Sequence, residues 1–245
     1  MMTMISSEKK FDCLKTSNWY KSLANYTFPT SFVKLSDNEK ELLVNGIHEG
    51  EQITEAIHRL RGAMKVFFGN KFVFVDCAAP TDTERFRLKG GAVYSAESAW
   101  KYLALSEKVR KSIANGDSDH ICVRPFRRMG KPKEFRLFIK DKKLLGMSQL
   151  WLIRHFKRLE GIKEKLWEMA NTFFSEVSWL LPAVSCTMDI YFTASGRILI
   201  VDFNPWGEPV SPLLFRSWDN DWENNGKIKI IPPPIKIKGD VKISF

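Results

Sequence analysis

The chain has no window of about 18 consecutive apolar residues, which argues against a membrane-spanning helix. Its opening residues, MMTMISSEKKFD, lack the apolar core of a secretory signal. Cysteine is sparse. Cys13, Cys77, Cys122 and Cys186 lie far apart and make no CxxC pair, and with four histidines no zinc spacing arises. These absences argue against a disulfide framework or a zinc site. They leave reduced, buried thiols in a cytoplasmic protein as the expectation. No internal repeat is present.

What is there suffices for a real core. The 245 residues are 44% hydrophobic and 13% aromatic, enough for one large domain or two small lobes sharing a cleft. The formal net charge is +10. Such a balance suits nucleic acid, acidic partners or phosphate-rich ligands. The densest basic cluster is Arg124, Arg127, Arg128, Lys131 and Lys133.

Periodicity supplies the elements. Ser36 and Asp37 can cap a short helix through Leu43, with Gly46 just beyond it. Residues 51–68 read as an amphipathic helix, with Ile53, Ile57, Leu60 and Met64 on one side. KFVFVDCAAP reads as a strand ended by Pro80, and 95–114 as a second helix. HICVRPF is one strand; EFRLFI and KLLGMSQ form a hairpin through Asp141 and Lys142. A long helix over 158–177 precedes a last hairpin, VSCTMDIYF and RILIVDFNP, joined at Ser195-Gly196. The mixture of helices and antiparallel hairpins predicts an α+β fold. The basic tail, 219–245, contains Pro232 to Pro234 and reads as an edge strand or a packed arm.

The last hairpin carries chemistry. MDIYF and ILIVDF are almost continuously apolar, yet each contains an acid. A two-residue turn at Ser195-Gly196 places Asp189 opposite Asp202, with both side chains on one face, and Asn204 follows on that face. Two facing acids in apolar surroundings repel and resist desolvation. A hard divalent cation such as Mg²⁺ relieves that cost and brings phosphates with it. An Arg pairing with one acid, or a different register, is the alternative.

The segment Asp202 to Gly207, DFNPWG, preceded by MDIY, resembles the cell division cycle protein 123 (D123) family. SPLLFRSW, CLKTSNWY with Cys13, Trp19 and Tyr20, DCAAPTD with Ala79, Pro80 and Asp82, and ICVRPF followed by EFRLFIKDKKLLGMSQ resemble further family segments in the same order. The resemblance runs from about Phe11 to Trp218. It implies an ATP-grasp-like fold, two lobes with mainly antiparallel sheets enclosing a nucleotide cleft. The lobes would span 1–115 and 116–218. It also implies that Asp189, Asp202 and Asn204 bind the metal, and that Arg124, Arg136 and Phe126 contact ATP, Phe126 as an apolar wall beside adenine. Pro125 and Arg127 would lie nearby, and Glu134 shares a strand face with Arg136.

The sequence also departs from the family pattern. Phe74 stands where the family has a phosphate-binding Lys, and Lys71 is the candidate substitute. Leu150-Trp151 replaces an Arg-Asp pair, Phe126 replaces a Trp, and the chain is basic where family members are acidic. The function implied is that of an Mg²⁺-ATP-binding assembly chaperone for translation initiation factor 2, binding its GTPase (gamma) subunit. One alternative is an ATP-grasp carboxylate ligase, with Arg136 holding an acyl-phosphate as a catalytic residue. The other is a basic RNA-binding or RNA-modifying protein, supported by the Arg124–Lys133 cluster with Trp19 and Trp151.

Overall fold

A computed structural model describes residues 12–225 and 227–234. Its helices are α1 (Thr16–Leu23), α2 (Asp37–Val44), α3 (Thr54–Met64), α4 (Glu84–Lys89), α5 (Ala96–Ala104), α6 (Glu107–Ala114), α7 (Lys157–Glu160), α8 (Lys163–Val177) and α9 (Trp222–Asn225). Its strands are β1 (Ser31–Lys34), β2 (Lys71–Val75), β3 (His120–Pro125), β4 (Glu134–Lys140), β5 (Lys143–Gln149), β6 (Cys186–Phe192), β7 (Ile198–Pro205) and β8 (Lys227–Lys229). They form two sheets, ordered β1-β3-β2 and β7-β6-β4-β5-β8, and every pairing is antiparallel except β5 with β8. The α+β class expected from the sequence is the class found.

Each sheet buries one face under helices. Val33, Val73, Val75, Ile121 and Val123 pack against Leu60 of α3 and Trp100 and Leu103 of α5. Phe135, Leu137, Met188 and Ile200 pack against Ala170, Phe174 and Val177 of α8. Alternation of side chains then leaves the opposite face of each sheet for other work. The two sheets meet where the Thr27 hydroxyl donates to the Ile200 carbonyl at 2.7 Å, beside a parallel bridge between the same residues.

Several expected elements keep their place but change their bounds. The α2 cap is reciprocal: Ser36 Oγ accepts from the Glu39 amide, and the Ser36 amide donates to Glu39. The helix expected over 95–114 is two, because Ser106 caps α6 and its hydroxyl donates to Asp82 at 2.6 Å. The helix expected over 158–177 breaks around Gly161 and Ile162. The helical part of 51–68 stops at Met64. β3 belongs to the sheet of β1 and β2, so the chain crosses to the second sheet between Pro125 and Glu134. Of the tail, Lys227–Lys229 adds an edge strand beside β5, and residues 235–245 lie outside the described residues.

Candidate functional site

The face of β4, β6 and β7 turned away from α8 gathers Glu134, Arg136, Thr187, Asp189, Asp202 and Asn204. Asp189 pairs directly with Asp202, as expected, and Asn204 pairs with Thr187. The route to that register differs from the expectation. The connection is longer than two residues, with the Thr193 amide donating to the Arg197 carbonyl and Phe192 pairing with Ile198. A bulge between Asp189 and Ile190 restores the expected pairing beyond it.

The two acids do not face each other uncompensated. Arg136, directly across from Asp189 on β4, donates Nε and Nη2 to its two carboxylate oxygens at 2.7 and 2.8 Å. The Asn204 amide adds a longer contact at 3.4 Å. Bidentate pairing of this kind is strong and geometrically specific. Of the two possibilities that the sequence left open for Asp189, an arginine partner is the one found. Burial pulls the Arg136 guanidinium down, but the charge and hydrogen bonds of Asp189 carry it above its ordinary value. Its Nη1 reaches the Ser211 carbonyl at 3.2 Å.

Asp202 is the acid left under tension. Burial, and then the charge of Asp189, raise its carboxyl to about 7, against the pull of Arg124 and Arg136. One of its oxygens accepts from the Phe203 amide at 2.9 Å.

Arg124 enters from the other sheet. It is buried, 6% exposed, and donates Nε to Thr30 Oγ1 at 2.9 Å and Nη1 to the Val201 carbonyl at 2.8 Å. Its guanidinium lies 4.6 Å from the centroid of Phe74. Its Nη2 is buried with no hydrogen-bond partner among the described residues, as is Thr187 Oγ1. Burial lowers the pKa of Arg124.

The other expected site residues divide. Lys71 has the opposite parity from Phe72 and Phe74, and its ammonium donates to the Gly69 carbonyl at 2.6 Å. The structure does not bring it to the acids. Phe126 continues past β3, and its ring lies beside Gly90. Glu134 is buried, and burial raises its carboxyl to about 6. The basic cluster is split, because Arg124 turns inward while Arg127, Arg128, Lys131 and Lys133 are exposed. Trp19 is in the core, edge-on to Phe203. Trp151 stacks on Phe86 of α4, with Lys131 above its ring. Thr187 was legible in principle, since it sits two residues before Asp189 on the same face, but a hydroxyl in an apolar strand carries no signal of its own.

Among the described residues no group of three or more His, Cys, Asp or Glu suits a metal ion. A metal here would have two carboxylates and the Asn204 amide as donors, a set that suits a hard cation with further oxygen ligands from phosphate. Arg124 Nη2 and Thr187 Oγ1 are buried without partners among the described residues, and the donor set of Asp189, Asp202 and Asn204 fits a hard cation such as Mg²⁺.

Comparison with known proteins follows the same line. A family model described as D123 matches residues 96–229. The translation initiation factor eIF2 assembly protein of Xenopus tropicalis is 34% identical over 99 residues, spanning 37% of this chain and 30% of that protein. Its counterpart in Dictyostelium discoideum is 33% identical over 100 residues, spanning 40% of this chain and 26% of that protein. The matched segments thus span less than a third of these curated relatives. The structure of C-terminally truncated Cdc123 from Schizosaccharomyces pombe superposes with a TM-score of 0.77 at 19% identity, covering 94% of this chain and 100% of that one. The fold is shared with that protein.

Proposed function

The chain belongs to the D123 family, and from that premise we propose that it binds Mg²⁺-ATP between its two sheets and holds a protein partner, assisting assembly of translation initiation factor 2. The observation that carries the nucleotide half is the placement of Asp189, Asp202 and Asn204 on one sheet face, with the buried, half-satisfied Arg124 arriving from the other.

Asp189, Asp202 and Asn204 would hold the metal, which neutralises and orients the nucleotide phosphates when bound. Arg124 and Arg136 would meet phosphate oxygens, and Phe126 would wall the base. Asp202 must give up its proton to act as a ligand, and Arg136 must release at least one oxygen of Asp189. A site that already balances its own charges, without a lysine at Phe74, suits a bound structural nucleotide better than rapid turnover.

A thermal-shift titration tests this reading. Mg²⁺-ATP should raise the melting temperature of the wild-type chain and leave Asp202→Ala unmoved. An equal shift in both would remove Asp202 from the site. The partner half is tested by binding of the purified gamma subunit of translation initiation factor 2, and absence of binding sinks it.

A further inference from the structure

Four surface segments, 65–71, 85–94, 126–133 and 150–158, contain no Asp or Glu and twelve Lys or Arg. At the chain's average of 28 acids in 245 residues, about four acids would stand in a stretch of that length. The fold brings these segments together. Lys71 and Val93 exchange backbone hydrogen bonds at 2.7 and 2.9 Å, and the Phe126 amide donates to the Asn70 carbonyl at 2.8 Å. The Phe126 ring lies against Gly90. Trp151 stacks on Phe86, and Lys131 sits 5.0 Å from the centroid of Trp151.

The same segments hold Val66, Phe68, Leu88, Tyr94, Leu152 and Ile153, six of the ten exposed large hydrophobic side chains among the described residues. Phe68 is 101% exposed and Leu88 and Tyr94 are each 73% exposed. A solvated basic face would not concentrate such side chains, whereas interaction surfaces combine apolar anchors with a polar rim.

We propose that this end of the molecule is a docking surface for an acidic segment of a protein partner, one in which Asp and Glu are interleaved with apolar side chains. Charge complementarity selects the acids. Four of the six apolar side chains, Val66, Leu88, Leu152 and Ile153, are aliphatic. They offer no stacking face to a nucleobase but pack well against Leu, Ile or Phe, which favours peptide over single-stranded nucleic acid. The inference rests on the reading that the chain holds a protein partner, and it does not require bound nucleotide.

The test uses the full chain and a fluorescein-labelled peptide of about 16 residues alternating Asp or Glu with Leu or Phe. Fluorescence anisotropy should show binding that weakens by about tenfold or more in Phe68→Ser/Leu88→Ser and in Arg127→Glu/Arg128→Glu. Both double variants change exposed side chains only, and unchanged melting temperatures would confirm that they fold. Asp202→Ala should bind the peptide normally, so failure of the nucleotide reading leaves this result standing. Peptide binding without binding of the gamma subunit would refute that partner and not this surface. Equal affinity in the variants, no affinity for the peptide, or equal affinity for its Asn/Gln counterpart overturns the proposal. Tighter binding of an oligouridylate, or of phosphatidylserine vesicles, also overturns it.

Discussion

Asp202 shows how one carboxyl can report on a whole site. Burial and Asp189 raise its pKa from 3.8 to about 7, so between those values the folded chain holds a proton that the unfolded chain has lost. Stability from this group is therefore present at acidic pH and falls as pH rises through that window, by on the order of a few kcal/mol. Asp202→Asn should flatten this part of the stability profile in the absence of ligand. Urea unfolding at intervals from pH 4 to 8 measures it, and an unchanged slope in the variant would show that Asp202 does not titrate this way. Glu134, raised by burial to about 6, contributes in the same direction.

The residue scale is also where sequence reading was least complete. Alternation put Asp189, Asp202, Asn204, Glu134 and Arg136 on shared faces. It left open whether an arginine or a cation balances Asp189, because that depends on β4 lying directly beside β6. Apart from the family resemblance, which implies that it contacts ATP, Arg124 was legible only as a basic residue near a strand end. Its burial over Phe74 required a second sheet to be brought against it.

At the level of elements, close packing decides more than propensity. Gly146 lies inside β5, and a Cβ built there would stand 2.6 Å from Phe215 Cζ. Phe215 is locked among Phe138 and Trp222, with ring centroids 5.1 and 4.6 Å away. Gly146→Ala should therefore cost about 1–3 kcal/mol as the aromatic cluster shifts. A lowered urea midpoint checks this; no change would mean that the ring yields freely.

Helices 95–114 and 158–177 read as continuous because apolar spacing persisted across their breaks. The first break depends on Ser106 meeting Asp82, a residue 24 positions earlier, which no local pattern reveals. The β6–β7 register was read correctly through a wrong turn length, the bulge at Asp189 offsetting the longer loop.

Across the whole molecule, the two sheets have separate cores, and polar contacts are among those that join them. The Thr27 hydroxyl on the Ile200 carbonyl and Arg124 on the Val201 carbonyl are two of them. Thr27→Val keeps the shape but removes the hydroxyl, and should cost about 1–3 kcal/mol. Hydrogen exchange should quicken around β7 in this variant, while the helices packed on β1–β3 keep their protection. Uniform exchange rates would show that the contact does not hold the sheets together. The basic apolar end belongs to the same scale, since its four segments are scattered in the chain and meet only in the fold. Among the described residues no helix is long and apolar enough to cross a membrane.

The sequence alone determined the α+β class, the alternation that sets acids and Asn204 on one face, the ordered motifs of the D123 family, and the absence of zinc or disulfide spacing. These are local or one-dimensional properties: period, spacing and composition. The tertiary structure decided the charge balance of the site, the inward turn of Arg124, the turning of the Lys71 ammonium to the Gly69 carbonyl and the joining of four acid-free segments. Apart from the Lys71 contact, each depends on which strands become neighbours, and strand neighbours are chosen by burial of whole faces rather than by any single segment.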